Sequence, residues 1–310
     1  MIITQTPLRV SLIGGNTDFP AYFKKYGGAV LTTTIDKYIY CIVKKRFDDE
    51  IWINYSQKEK VKEVKDIKHD LVREAMKLTG IDKGIEITFL SDIPSEGSGL
   101  GSSSSVTVGI LNALHTYKGE YINSRQLAEE ACKIEVDILK KPIGYQDQYA
   151  VAFGGFNLIE FKNKITVKPI SPAWISNSLM LFYTGKTRKA EKILAGIKLN
   201  RYVLDKIKGE VYQKLDHITD PIILGDLLDR YWAFKIKLNK AVTNRSIDKM
   251  YLNLLKAGAL GGKIVGAGGG GFLLITVTPE YQKEVRQLGY RELVFKLSKF
   301  GSRVIFNIHE

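Results

Sequence analysis

A chain of 310 residues that is 45% hydrophobic is long enough to bury a large core and too apolar to stay disordered. Its 46 lysines and arginines against 33 acids leave a net charge of +13, which favours anionic partners such as nucleotides, phosphorylated metabolites, nucleic acid or an acidic surface. Much of that excess sits in mixed segments, residues 58–70 and 186–201, that fit solvated helix faces, and no basic stripe interleaved with aromatics supports nucleic-acid binding.

Residues 1–55 read as a hairpin-rich β region in which PLRVSLI gives way to the turn-forming GGNTD and then to AVLTTTIDKYIYCIVKKRF. Arg9 lies inside the first strand pattern, where a charge is costly unless it is paired or aimed into a site. Asp18 closes the turn, either bonding its own backbone or serving a ligand. Cys41 and Cys132 fall in a strand and a helix and fit a reducing compartment, neither a disulfide framework nor a zinc site. No signal-peptide pattern and no run of 18 apolar residues is present, so the expectation is a cytoplasmic protein without a membrane partner.

An amphipathic helix is predicted over 65–80, carrying Ile67, Leu71, Ala75 and Leu78. The strand IEITFL (85–90) leads into IPSEGSGLGSSSSVTVGILNALHTY, where glycines at 97, 99 and 101 precede four serines and an apolar helix face. The first turn of a helix leaves N–H groups unpaired and carries partial positive charge, so an anion is stabilised there. Glycines let phosphate oxygens approach the backbone, while the serines are expected to cap the helix and offer hydroxyls to a phosphate-bound Mg²⁺. The alternative is a flexible, serine-capped loop.

Ser124 is predicted to cap a helix over residues 125–141 with Leu127, Ala131, Ile134 and Ile138 inward, ended by Pro142 and Gly144. A turn over 143–155 sets Asp147 between glutamines in apolar surroundings, where proton transfer is plausible chemistry for an acid. Beyond 165–175 the pattern shifts to a second α+β lobe with helices across 188–260, a glycine-rich loop before the strand FLLITV, a helix over 280–300 and a last strand. His69, His115, His217 and His309 lack ligand spacing. Two phosphate motifs fail: Gly185–Thr187 has Met180 where a P-loop needs its first glycine, and GAGGGG (266–271) precedes a strand where a dinucleotide fingerprint needs a helix.

Three segments together, PLRVSLIGGNTD, PSEGSGLGSSSSV and KIVGAGGGGF, resemble the motifs of the galactokinase, homoserine kinase, mevalonate kinase and phosphomevalonate kinase (GHMP kinase) superfamily, in the right order along nearly the whole chain. The resemblance implies an α+β GHMP kinase fold of two lobes. The N-terminal, ATP-binding domain (1–168) would resemble domain 2 of ribosomal protein S5, the C-terminal domain (169–310) would be ferredoxin-like, and ATP and Mg²⁺ would bind between them. PLRVSLIGGNTDFPAYF, GYQDQYAVAFGG and LFYTGKTRKA look most like bacterial members acting on D-glycero-D-manno-heptose 7-phosphate. That implies phosphorylation of the C1 hydroxyl on the way to nucleotide-activated heptose for surface polysaccharide, with another sugar, or a non-catalytic sensor, as the alternatives.

By the same resemblance, the backbone of Gly97, Ser98, Gly99, Leu100, Gly101, Ser102, Ser103 and Ser104 would wrap the ATP phosphates, with Ser103 and Glu135 as metal ligands. Asp147 would be the catalytic base, oriented by Arg9. Arg9, Gly15, Asn16, Asp18, Gly144, Asp147, Gly268 and Gly269 would shape or contact the sugar. Galactokinases carry a glutamate where this chain has Gly15, a change expected to remove charge and open space for a seventh carbon, with Lys186 and Arg188 meeting its phosphate. A homodimer is left open.

Overall fold

The computed structural model describes residues 1–94, 97–170, 175–186, 193–194, 196, 199–214 and 218–308. The first strand, β1 (Ile2–Ile13), runs between two neighbours and is buried on both faces over its second half. Pro7 interrupts it, having no N–H to donate. The pairing with β2 (Gly28–Lys45) slips between Pro7 and Leu8 and again between Ser11 and Ile13. Leu8 and Val10 are wholly buried on either side of Arg9. The short helix α1 (Pro20–Tyr26), absent from the sequence expectation, separates the two strands with proline in its first turn.

Strands β3 (Ile51–Asn54) and β4 (Lys58–Val61) come next, and helix α2 (Asp70–Thr79) ends on a left-handed Gly80. The helix starts later than expected, so Ile67 is buried ahead of it. Strand β5 (Ile85–Ser91) leads to α3 (Ser102–Tyr117), which lies close across β1 because Gly109 has no side chain. A Cβ there would fall 2.9 Å from Thr6 Oγ1, and Thr4 Oγ1 donates to the Gly109 carbonyl at 2.9 Å.

Helix α4 (Ser124–Cys132) is capped by Asn123, whose side chain accepts the Gln126 N–H, so Ser124 is the first helical residue and not the cap. It continues as a π-helical turn, Lys133–Ile138. The wider turn shifts the phase of the apolar face: Ile134 is buried but Ile138, expected inward, is 43% exposed. Residues 143–155, expected as a turn, contain helix α5 (Gln146–Phe153). Strands β6 (Phe156–Phe161) and β7 (Thr166–Pro169) complete this half of the chain.

The second half builds a four-stranded antiparallel sheet from β8 (Leu179–Tyr183), β9 (Gly261–Ile264), β10 (Phe272–Thr276) and β11 (Glu292–Leu293), in the order β11-β8-β10-β9. Helices Arg201–Lys214, Pro221–Leu238 and Arg245–Lys256 fall between its first two strands, and Gln282–Gln287 between its last two. That is the ferredoxin-like arrangement. The helix expected over 280–300 is only Gln282–Gln287, because Gly289 turns left-handed (φ 72°) and the chain extends into β11.

The last strand, β12 (Arg303–Asn307), was expected in the second lobe but pairs antiparallel with β1, in a sheet ordered β12-β1-β2-β5-β3-β4 with β6 on β2. One core cluster joins Leu8, Val10 and Leu12 of β1 to Leu181, Leu204, Leu228 and Leu274 of the second half, so the two sheets are packed through shared apolar burial. Among the described residues no helix is long and apolar enough to cross a membrane.

Candidate active site

A cleft of about 1240 Å³ runs between the start of α3, the π-helical turn, the start of α5 and the glycine turn after β1. Three glycines of its floor, Gly97, Gly99 and Gly101, have φ of 71°, 80° and 78°, a conformation that L side chains rarely adopt. Leu100 between them is buried and fixes the loop, its carbonyl accepting the Arg9 N–H at 2.9 Å. The cap of α3 is Gly101 and makes no side-chain bond. The expected serine cap is thus absent, and the first-turn N–H groups of α3 face the cleft without one, which is what an anion requires.

Directly beneath that turn lies Glu135. The π-helical turn brings it inward, wholly buried, with Oε2 accepting from the Ser103 and Ser104 hydroxyls at 3.3 Å each. Its Oε1 is buried with no partner among the described residues. Burial pushes its carboxyl above the usual range, opposed chiefly by the charge of Lys141. A carboxylate with a spare oxygen beside two hydroxyls is a hard-oxygen set that fits a Mg²⁺ shared with phosphates. Ser104, expected only as a phosphate contact, joins Ser103 in it.

On the other side, α5 carries Asp147 in its first turn. Arg9 holds both of its oxygens, Nε to Oδ1 at 2.7 Å and Nη2 to Oδ2 at 2.5 Å, and its third nitrogen donates to the Gly99 carbonyl at 2.5 Å. Arg9 therefore ties the acid to the glycine floor with a planar fork that lysine could not reproduce. Only 6% of the Arg9 side chain is exposed against 23% of Asp147, so the carboxylate faces the cleft and the guanidinium backs it.

The glycine turn supplies the remaining wall. Asp18 is almost fully buried and accepts from the N–H groups of Asn16 (2.9 Å) and Gln146 (3.1 Å), so it fixes the turn, and it also lines the cleft. Its carboxyl is pushed up to about 6, first by burial and further by Asp147, against the backbone N–H groups of Gln146, Asn16 and Asp18 itself. Gly144 permits this, since a Cβ there would fall on Asp18 Oδ2. Gly15 does not leave open space. The Tyr231 hydroxyl, donating to its carbonyl at 3.1 Å, sits where a side chain would begin, 2.6 Å from a Cβ at that position. Asn16 Nδ2 and Gln146 Oε1 are buried beside it with no partner among the described residues.

Gly268 and Gly269 pack on Val242, Ala241 and Ile193 and are not among the residues lining the cleft. Lys186 is exposed and also lies off it, its carbonyl accepting the Gly271 N–H at 2.8 Å, and Arg188 falls outside the described residues. Sequence reasoning missed several lining or supporting groups. Tyr231 and Lys235 reach in from helix Pro221–Leu238 with no local motif to announce them. Tyr55, His69 and Phe89 form an aromatic end to the cleft, with ring centroids 4.8 Å apart for Tyr55–His69 and 5.9 Å for His69–Phe89. Lys263 carried the same signal as Arg9, a charge inside an apolar strand; it is fully buried, donates to the Ser11 and Leu12 carbonyls at 2.6 and 2.9 Å, and joins β9 to β1.

The family model for the GHMP kinases N terminal domain matches residues 63–155, and that for the GHMP kinases C terminal matches 214–288. The chain is 33% identical over 308 residues to the D-glycero-alpha-D-manno-heptose 7-phosphate kinase of Campylobacter jejuni, covering 90% of each protein. A galactokinase of Pyrococcus furiosus is 26% identical, with 96% of this chain and 95% of that protein covered. The crystal structure of a D-glycero-D-manno-heptose 1-phosphate kinase from Bacteroides thetaiotaomicron superposes over the full length of both chains with a TM-score of 0.80 at 26% identity. A glycine cradle on a helix start, a buried carboxylate beneath it and an arginine-held aspartate across from it therefore belong to a member of the GHMP kinase family, a phosphotransferase with an alcohol as acceptor.

Proposed function

We propose that this chain transfers the γ-phosphoryl of ATP to the anomeric C1 hydroxyl of D-glycero-D-manno-heptose 7-phosphate, giving the 1,7-bisphosphate for nucleotide-activated heptose in the cytoplasm. The observation that carries the phosphotransfer is the Arg9 fork, which fixes a carboxylate and the glycine cradle in one hydrogen-bonded unit. Phosphoryl transfer asks for positioning and charge neutralisation more than covalent participation. The first-turn N–H groups of α3 hold the phosphate chain, with the aromatic end of the cleft taking the base. Asp147 accepts the hydroxyl proton while Arg9 keeps its carboxylate turned to the acceptor, and Asp18, Asn16 and Gln146 bond the sugar's other hydroxyls. Glu135, Ser103 and Ser104 would hold Mg²⁺, which supplies charge neutralisation on the phosphates when bound.

Heptose as the acceptor is supported by the likeness to the two heptose kinases of Campylobacter and Bacteroides, whose own names place the existing phosphate at opposite ends of the sugar. Lys186 lies off the cleft and does not support the expected contact with a C7 phosphate, and the division at residue 168/169 is our proposal for the two domains, with β12 returning to the first sheet. Phosphorus NMR of ATP, Mg²⁺ and a panel of free and phosphorylated sugars tests the reading. A new anomeric phosphate on heptose 7-phosphate is expected. A product phosphorylated at C7, or turnover only with an unphosphorylated hexose, rejects the substrate; no ADP with any sugar rejects the kinase.

A further inference from the structure

Among the described residues the cleft holds more negative than positive side chains for a site that must take a polyanion. Asp18, Asp92, Glu135 and Asp147 line it against Arg9, Lys141 and Lys235. Arg9 is committed to Asp147 and Gly99, and Lys235 Nζ donates to the Gly266 carbonyl at 2.5 Å. Lys141 is placed differently. Lys140 before it takes a left-handed φ of 53°, unusual for a residue with a side chain, and the turn so made lets the Lys141 N–H donate back to the Glu135 carbonyl at 2.9 Å. The Lys141 side chain, 15% exposed, then runs along the cleft wall beside Glu135 and reaches Asp70 Oδ2 on α2 at 3.5 Å. Asp70 is 43% exposed, and an ion pair that long with so wet a partner contributes little and exchanges readily.

We infer that Lys141 is a nucleotide-binding residue that leaves Asp70 to grip the phosphate chain on the Glu135 side of the cradle. The inference rests on the kinase reading and deepens it. An ATP phosphate chain carries about four negative charges, and the metal held near Glu135 offsets only about two of them. An ammonium held only by a long ion pair suits a ligand that must arrive and leave, while the bidentate fork of Arg9 suits a fixed partner.

The test measures dissociation constants by calorimetry for adenosine, ADP and the non-hydrolysable analogue AMPPNP with Mg²⁺, on the wild-type chain and on Lys141→Met, Lys141→Arg and Asp70→Asn. Lys141→Met is expected to weaken AMPPNP roughly tenfold or more, the loss of one charge-assisted bond, to weaken ADP by a similar or smaller factor, and to leave adenosine within about twofold. Lys141→Arg should recover part of the loss, and Asp70→Asn should bind AMPPNP as tightly as the wild type or tighter. AMPPNP bound equally by wild type and Lys141→Met overturns the inference alone, as does a loss shared equally by adenosine. A wild-type chain that binds none of the three overturns the kinase reading and this inference with it.

Discussion

Two glycine-rich loops meet back to back in this molecule. Residues 97–104 and 266–271 are both rich in glycine, yet the first runs into helix α3 and the second into strand β10. A helix start offers several converging N–H groups, whereas a strand start spends its N–H groups on the ladder. The second loop is instead shaped by the first: Cβ atoms on Gly266 and Gly271 would lie 2.6 Å from the Gly99 carbonyl oxygen and 2.4 Å from that of Ser98. In the proposed reading the first loop offers the ligand surface, while the second backs it and reaches the cleft only at Gly266 and Ala267.

The largest expected effect falls on the side of the first loop. Asp147→Asn keeps the shape of the group that Arg9 holds but removes the proposed base, so kcat should drop by roughly 10²- to 10⁴-fold with the KM for ATP little changed. An unaltered kcat would take Asp147 out of the proton transfer. The backing loop should respond otherwise. Gly266→Ala forces a side chain into a left-handed site (φ 63°) against the cradle, so the KM for ATP should rise roughly tenfold, and about 1–3 kcal/mol of stability should be lost in thermal unfolding. An unchanged KM with an unchanged melting temperature would mean that the loops do not support each other.

The two loops also differ in how far the sequence reveals them. The cradle was legible because strand, glycine loop and helix succeed one another within 40 residues, and local order is what periodicity reports. Arg9 and Lys263 give the same signal, a charge in an apolar strand, and both lie within stretches that resemble a known motif, but the resemblance implies a role only for Arg9. The π-helical turn at Glu135 was not legible, since a one-residue change in helix phase depends on the packing of α3 above it. The role of Gly15 was misread for a related reason: Tyr231, 216 residues further along, fills the space a local reading leaves empty. β12 likewise returns to β1 from the far end of the chain, a pairing that hydrophobic pattern does not specify.

A smaller effect separates the turn from both loops. Asp18, raised to about 6 by burial, binds its proton more tightly folded than unfolded. Its contribution to stability is therefore complete below its ordinary value of 3.8 and lost as pH rises through about 6, amounting to about 3 kcal/mol at most. A sugar hydroxyl donating to its carboxylate needs the opposite, ionised form, so kcat/KM for the sugar should fall as pH drops through 6. The profile of Asp18→Asn should lack that limb. If the limb persists in the variant, another group titrates there.

The smallest effect on catalysis should come from the far end of α3, where neither loop reaches. His115 is 9% exposed at its side chain, with Nδ1 2.7 Å from Glu120 Oε2 and Nε2 2.8 Å from Glu130 Oε2, so both nitrogens face carboxylates and the doubly protonated ring suits them best. The bond to Glu130 leads in raising its pKa above the usual 6.5, with burial opposing and Glu120 adding. Because the folded value is raised, the stabilisation is complete below 6.5 and is lost as pH climbs through that higher folded value. His115→Gln should cost about 1.5–3 kcal/mol at pH 6 and less at pH 9, with kcat and both KM values unchanged at 25 °C. Urea unfolding at the two pH values checks it: a cost that is equal at both, or larger at pH 9, would mean that the ring is held neutral. A change in the KM for ATP would mean that the cradle senses the whole length of the helix on which it is built.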